Sequence, residues 1–138
     1  DNKSMLVLLD DAGKIASYAD VPDIALDLIE VADKPTTIIY PGAKRLAPNL
    51  VAEDGTIGIR ITREEFTRSL IFRYNKPIVS TSANISGEPS PHFFGEISEE
   101  IKNAVDYIVD YRRNDHNPAA PSSIIKLGMG GEIQIIRK

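Results

Sequence analysis

The chain has 138 residues, of which 42% are hydrophobic and 26% are charged, and its net charge is −4. The length is that of one domain, and the composition is that of a folded globular protein rather than a disordered one. The absence of cysteine excludes disulfides, thiolate metal sites and cysteine nucleophiles. The negative charge argues against a protein that binds nucleic acid by covering its phosphates with cations.

No apolar run approaches the roughly 20 residues that a membrane helix requires, and no signal peptide precedes Met5. We therefore expect the protein to lie in the cytoplasm and to have no membrane partner. A reducing compartment also agrees with the lack of cysteine.

The first half of the chain alternates between strand and helix patterns. The continuous apolar run from Met5 to Leu9 predicts a strand, and Pro22 suits the first position of a helix that extends to about Ala32. β-Branched residues predict strands from Thr36 to Tyr40 and from Ile57 to Ile61. Such alternation is typical of an α/β domain.

A capping-box pattern, Thr62-Arg63-Glu64-Glu65, predicts a helix that starts at Thr62. Its apolar side would bury Phe66, Leu70 and Tyr74. The next strand is predicted from Pro77 to Ser80.

The last third contains shorter elements. A short helix is predicted to begin at Ser90-Pro91 and to hold Phe93 and Phe94, and Ser98 is predicted to cap a further helix. A short strand is predicted from Tyr107 to Val109. Two more strands, Ser123 to Leu127 and Glu132 to Arg137, should form a hairpin around Gly128 to Gly131. Because of the hairpin, part of the sheet should be antiparallel. Together these elements predict one α/β domain over residues 1–138 with a twisted, mixed sheet.

Two stretches contain residue types that could bind a ligand. The loop at Asn114 to Asn117 has one histidine and one carboxylate, so a solvated loop is favoured over a metal site. The segment from Lys76 to Gly87 runs from a strand pattern into small polar residues, at a strand end where open α/β sheets bind ligands. By residue types alone, this segment fits an ordinary turn as well as it fits a ligand-binding segment.

Individual side chains suggest roles in such a site. Arg60 lies within an apolar strand and could fix a carboxylate or phosphate bidentately, although an ion pair at a strand edge is the alternative. Ser80 and Ser82, two residues apart, would face one side of an extended backbone, with Thr81 in packing. Asn84 could bind ligand or, more simply, brace the turn.

The string Ser80-Thr81-Ser82-Ala83-Asn84-Ile85-Ser86-Gly87 resembles the signature of the YrdC family, the threonylcarbamoyl-AMP synthases. Weaker matches to the same family follow its order along the chain: Lys34-Pro35-Thr36-Thr37, Gly58-Ile59-Arg60-Ile61, Pro121-Ser122-Ser123 and Ile135-Ile136-Arg137. The resemblance therefore covers nearly the whole chain.

The resemblance implies a YrdC-like mixed sheet with flanking helices and an L-threonylcarbamoyladenylate synthase, a nucleotidyltransferase. Such an enzyme makes threonylcarbamoyl-adenylate from L-threonine, bicarbonate and ATP, and a downstream transferase uses it to modify tRNA. ATP would be a substrate accompanied by Mg²⁺, with no tightly bound cofactor and no metal site on the protein. By the resemblance, Arg60 would be catalytic, and the substrate- and nucleotide-binding residues would be Thr37, Arg60, Ser80, Ser82, Asn84, Ser122 and Arg137.

Departures from the family bear on activity. The Tyr-Pro-Thr strand and the Lys-x-Arg pair with which the family begins do not occur in this sequence. We therefore expect a domain without the family's N-terminal portion, inactive as a synthase by itself. Two other functions remain open, namely a module of the same fold that binds double-stranded RNA or tRNA, and a divergent carbamoyl-transfer relative.

Overall fold

A computed structural model of the protein describes residues 5–138. These residues form two compact units, one made of Met5–Ser80 and Ser122–Lys138 and the other of Thr81–Pro121. The first unit contains the sheet, and the second is mostly turns around one short α-helix. The single domain over residues 1–138 stays a prediction.

Six strands of the first unit form one sheet in the order β4-β1-β3-β2-β5-β6. Their bounds are Leu6–Leu9 for β1, Thr36–Tyr40 for β2, Ile57–Ile61 for β3, Ile78–Ser80 for β4, Ser123–Leu127 for β5 and Ile133–Arg137 for β6. The pairs β1–β3 and β2–β5 are parallel, and the other three are antiparallel. The predicted mixed α/β sheet is confirmed.

One face of the sheet carries the hydrophobic core. Alternate residues of the central strands, among them Val7, Ile38 and Ile59, are at most 1% exposed. Ile15 and Ala25 cover them from the segments that follow β1. Because side chains alternate along a strand, the other face of the same strands is left for Thr37 and Arg60.

Helix α1 spans Ala25–Val31 and does not begin at Pro22 as the sequence predicted. The segment from Pro22 forms a turn instead, in which the Ala25 amide donates to the Pro22 carbonyl. At the other end, the Arg63 guanidinium donates to the carbonyls of Ile29 and Ala32. A cation that bonds the last carbonyls of a helix stabilises its C-terminus.

Helix α2 spans Glu65–Tyr74, and its N-cap is Glu64 rather than the predicted Thr62. The Glu64 carboxylate accepts from the amides of Phe66 and Thr67 and so satisfies two free donors of the first turn. The buried residue is Ile71, so the predicted burial of Phe66, Leu70 and Tyr74 is wrong: they are 37%, 44% and 55% exposed.

In the second unit, Ser98 caps α3, Glu99–Ala104, by accepting from the Ile101 amide, as predicted. The short helix predicted from Ser90 is instead a single 3₁₀ turn at Phe94–Glu96. The predicted strand from Tyr107 to Val109 does not form. The guanidinium of Arg113 donates to the Ile108 and Val109 carbonyls, which would otherwise need a neighbouring strand.

The loop at residues 114–117 has one carboxylate, that of Asp115, and this group already has partners within the protein. Asp115 pairs with Arg112 and accepts from the Asn117 amide. In the part of the chain that the structure describes, no group of three metal-ligating side chains occurs. None of the helices in residues 5–138 is long and apolar enough to cross a membrane.

Candidate functional site

Strand register brings three of the predicted site residues into one row. Arg60 on β3 lies directly opposite Thr37 on β2. Thr37 is in register with Ile124 on β5, which is in register with Arg137 on β6. Residues in register across neighbouring strands point to the same face. Arg60, Thr37 and Arg137 therefore share the face opposite the core.

Ser80 lies on this face as well, two strands away from Arg60. Strand β1 separates the two, with Leu6 opposite Ser80 and Leu8 in register with Arg60. Leu6 and Leu8 are two residues apart and so point to the same side. The face that holds Arg60 thus extends to the end of β4, where the signature segment begins.

The centre of the row is a buried pair of hydroxyl groups. Thr37 Oγ1 and Ser122 Oγ are 2.9 Å apart, and the two residues are 2% and 4% exposed. One hydroxyl donates to the other, so one hydroxyl hydrogen and further oxygen lone pairs are not used by this contact. The resemblance implied a role for each residue, but nothing in the sequence indicated this contact, which joins positions 85 apart.

Arg137 is held by the same residue. Its Nε donates to the backbone carbonyl of Ser122 at 2.8 Å. This bond leaves the two terminal nitrogens of the guanidinium to donate elsewhere, and it fixes the side chain even though the residue is exposed. Ser122 therefore organises both Thr37 and Arg137.

The electrostatics of the row favour an anion. The pKa of Arg60 is lowered, first by burial of the guanidinium and second by the positive charge of Arg137 nearby. Among residues 5–138, neither arginine forms an ion pair with a carboxylate. Two guanidinium groups that repel each other without a counter-ion would be stabilised by a bound carboxylate or phosphate.

The remaining predicted residues, Ser82 and Asn84, belong to the second unit. The Asn84 amide donates to the carbonyls of Ile85 and Glu88, so this side chain braces the turn. Because β4 ends at Ser80, the strand that was expected to align Ser82 with it does not continue. Thr81 is exposed, so its predicted place in packing is wrong.

A cavity of about 220 Å³ lies elsewhere in the first unit, and none of the predicted site residues lines it. Lys14 and Asp10 line it, and both oxygens of the buried Asp10 accept from Lys14 Nζ, at 3.0 and 3.1 Å. The charge of that carboxylate is thus already balanced.

Comparison with known proteins identifies the family. The family model for Sua5, YciO and YrdC proteins, described as "Telomere recombination", matches residues 1–138. The chain belongs to this family. It is 39% identical over 127 residues to a Methanocaldococcus jannaschii protein provisionally named a threonylcarbamoyl-AMP synthase, a match over 91% of this chain and 58% of that protein. It is 27% identical over 135 residues to the threonylcarbamoyl-AMP synthase of Pseudoalteromonas translucida, covering 95% of this chain and 71% of the relative.

Solved structures show the same fold. Escherichia coli YciO superposes with a TM-score of 0.80 at 21% identity, over 98% of this chain and 65% of YciO. Sua5 of P. abyssi, solved in complex with L-threonine, superposes with a TM-score of 0.76 at 22% identity, over 91% of this chain and 37% of Sua5. The chain therefore spans somewhat more than half of the M. jannaschii relative and a smaller part of Sua5.

Proposed function

We propose that this chain is the substrate-binding part of an enzyme that forms threonylcarbamoyl-adenylate from L-threonine, bicarbonate and ATP. The observation that carries the proposal is the row of Arg60, Thr37 and Arg137, in which two arginines without carboxylate partners in the described residues flank buried hydroxyl groups. We infer the reaction itself from membership of the family and from the names of the curated relatives.

The residues of the row suit a ligand with an anion at each end. Arg60 would hold a carboxylate or phosphate oxygen pair through its planar guanidinium. Arg137, placed by Ser122, would hold a second anionic group further along the row. The hydroxyls of Thr37 and Ser122 would bond the polar groups between the two anions. Ser80, Ser82 and Asn84 are proposed as ligand contacts through the resemblance.

The chemical step needs little from the protein beyond position and charge. L-threonine and bicarbonate condense to a carbamate: the new nitrogen–carbon bond replaces a carbon–oxygen bond, and water leaves. One oxygen of the carbamate then attacks the α-phosphorus of ATP. The new oxygen–phosphorus bond forms as the bond to the bridging oxygen breaks, and pyrophosphate leaves with that electron pair. Cations placed where negative charge develops can supply much of the acceleration. Arg60, as the more buried of the two arginines, is the catalytic residue in this proposal.

Mg²⁺ would enter with the nucleotide. In the part of the chain that the structure describes there is no cluster of carboxylates that could form a metal site. Mg²⁺ is often bound mainly by phosphate oxygens and water rather than by the protein, so ATP itself can carry the ion.

We further propose that the adenylate passes to a transferase that modifies tRNA in the cytoplasm. The net charge of −4 favours transfer of a small molecule over direct binding of tRNA or double-stranded RNA by this chain. An electrophoretic mobility shift with tRNA at physiological salt tests this, and a stable complex would favour the RNA-binding function instead.

The direct test is isothermal titration with a hydrolysis-resistant analogue of threonylcarbamoyl-adenylate, together with pyrophosphate release from ATP, L-threonine and bicarbonate. We expect the analogue to bind. Any release of pyrophosphate should require both L-threonine and bicarbonate, because their carbamate is the group that attacks ATP in this proposal. Failure of the analogue to bind would contradict the proposed site, and release that needs neither L-threonine nor bicarbonate would contradict the proposed reaction.

A further inference from the structure

Gly58 lies inside a central strand of the sheet, a position where glycine is unfavourable. It belongs to β3, which has β1 on one side and β2 on the other. Glycine weakens a strand because it brings no side chain to pack and loses much backbone freedom on folding. A glycine at this position therefore needs a specific cause.

The fold itself does not require glycine at position 58. Gly58 is not among the glycines with a positive φ, and β3 pairs with both neighbours without a bulge, with Ile39 directly opposite Gly58. A Cβ atom on Gly58 would lie 3.4 Å from Thr37 Cγ2 and 3.7 Å from Leu6 Cβ, which are ordinary van der Waals distances. The sheet would therefore accept alanine here.

The missing side chain leaves a gap beside Arg60. Gly58 and Arg60 are two residues apart on β3, so they share one face of the sheet, and Gly58 is partly exposed there. Leu6 and Ile39 flank the gap from the neighbouring strands. The backbone groups of a central strand are directed at its neighbours, so the gap offers apolar contact but no hydrogen bond. It suits a small apolar group of a ligand that Arg60 holds.

The adenylate of the proposed function has two anionic groups, the carboxylate of its threonyl part and the phosphate of its nucleotide part. Arg60 is partly buried, whereas Arg137 is exposed. The phosphate carries the bulky nucleoside and needs the open surroundings of Arg137, so the smaller threonyl carboxylate fits beside Arg60. The threonyl side chain then lies over Gly58. Its methyl group, rather than its hydroxyl group, faces the gap, because a hydroxyl buried there would lack a hydrogen-bond partner.

We propose that Gly58 is a specificity-determining residue, whose missing side chain admits the methyl group of the amino-acid substrate. The inference rests on the proposed function, because Arg60 must hold the carboxylate of that amino acid. A side chain at position 58 would fill the gap with protein atoms and exclude the methyl group. The substrate that fits is an amino acid with a methyl group on Cβ, joined through its carbamate to an adenylate.

Two ligands that differ only in this methyl group test the proposal, namely hydrolysis-resistant analogues of threonylcarbamoyl-adenylate and serylcarbamoyl-adenylate. In isothermal titration, the wild-type chain should prefer the threonyl analogue by about tenfold, a typical effect of one methyl group in an apolar pocket. Gly58→Ala should bind the threonyl analogue about tenfold more weakly and the seryl analogue within about threefold of wild type, because the new Cβ takes the space of the methyl group. Gly13→Ala is the matched control: a Cβ there would lie nearest the exposed side chain of Asp11, so both analogues should bind as to wild type.

Stability separates specificity from damage to the sheet. Alanine suits a strand interior better than glycine does, so Gly58→Ala should unfold at the same urea concentration as wild type or at a higher one. A lower midpoint would show that the fold itself requires glycine and would overturn the inference. Equal changes in affinity for the two analogues, or no change, would also overturn it but would leave the proposed function intact. Failure of the wild-type chain to bind either analogue would overturn both.

Discussion

Arg137 donates from Nε to the carbonyl of Ser122 at 2.8 Å, and this bond fixes the guanidinium close to the chain terminus. The hydroxyl of the same serine bonds Thr37, which lies directly opposite Arg60. A single residue before β5 thus connects side chains on three other strands. The site is built on the sheet itself, and sheets hold side chains more firmly than loops do.

Replacement of Arg60 tests the anion site. Arg60→Ala should weaken binding of a threonylcarbamoyl-adenylate analogue by about 2–5 kcal/mol, the cost of removing one partner of a buried charged pair. Arg60→Lys should recover only part of this energy, because an ammonium group cannot bond two oxygens in the same fork. Isothermal titration measures both, and Arg68→Ala, at an exposed position on α2, is the control. Equal losses for Arg60→Ala and Arg68→Ala would exclude a specific role for Arg60.

The hydroxyl pair should contribute to stability as well as to binding. Thr37→Val keeps the shape of the side chain but leaves the buried Ser122 hydroxyl without its partner, so it should lower the free energy of unfolding by about 1–3 kcal/mol. Urea denaturation measures the change. Thr36→Val is the control: that hydroxyl bonds the Lys34 carbonyl at an exposed position, and its loss should cost no more than about 0.5 kcal/mol.

A double-mutant cycle completes this test. If the two hydroxyls act as a pair, Thr37→Val together with Ser122→Ala should cost clearly less than the sum of the single changes. Additive effects would show that the 2.9 Å contact does not couple the two residues energetically.

Strong local patterns predicted the strands well. The bounds of β2 and β3 agree with the sequence residue by residue, because β-branched runs between polar loops fit only a buried strand. The strand predicted from Tyr107 to Val109 failed because a side chain a few residues further along the chain engages its carbonyls. The side chain of Arg113 bonds the carbonyls of Ile108 and Val109, and nothing in the short apolar run indicates that competition.

In the site, local patterns predicted some features, whereas others depend on residues far apart in the sequence. The sequence pattern alone indicated Arg60, because it is an arginine within an apolar strand. The pairing of β2 with β3 then puts Arg60 opposite Thr37. The contact of Thr37 with Ser122 depends on how β2 pairs with β5, which no local pattern specifies. In α2, periodicity indicated the wrong side of the helix, because Phe66, Leu70 and Tyr74 are as apolar as the buried Ile71.

Helix α2 offers a direct comparison of the two sides. Ile71 is 1% exposed, so Ile71→Ala should lower the free energy of unfolding by about 2–5 kcal/mol through lost burial and the cavity left behind. Leu70 is 44% exposed, so Leu70→Ala should cost less than about 1 kcal/mol. Thermal or urea unfolding compares the two. A larger cost for Leu70→Ala would favour the orientation that the sequence predicted.

Asp54 connects the loop before β3 to β5. Its carboxylate accepts from Lys126 Nζ at 2.7 Å and from the hydroxyl of Thr56 at 2.6 Å. The pKa of Asp54 is lowered from 3.8 to about 2, first by the bond from Lys126 and then by the bonds from Thr56. A carboxyl group whose pKa is lower in the folded state stabilises the fold only while it is ionised.

The contribution of Asp54 should therefore be complete above about pH 4 and should disappear as the pH falls towards 2. Asp54→Asn removes the titrating group, so its unfolding free energy should fall less steeply than that of wild type between pH 4 and pH 2. Lys126→Met keeps the carboxyl group but removes the main cause of the shift, so its slope should lie between those of the other two proteins. Urea denaturation at half-unit steps of pH measures the slopes. Parallel curves for wild type and Asp54→Asn would mean that the bonds to Lys126 and Thr56 do not favour the ionised carboxylate in solution.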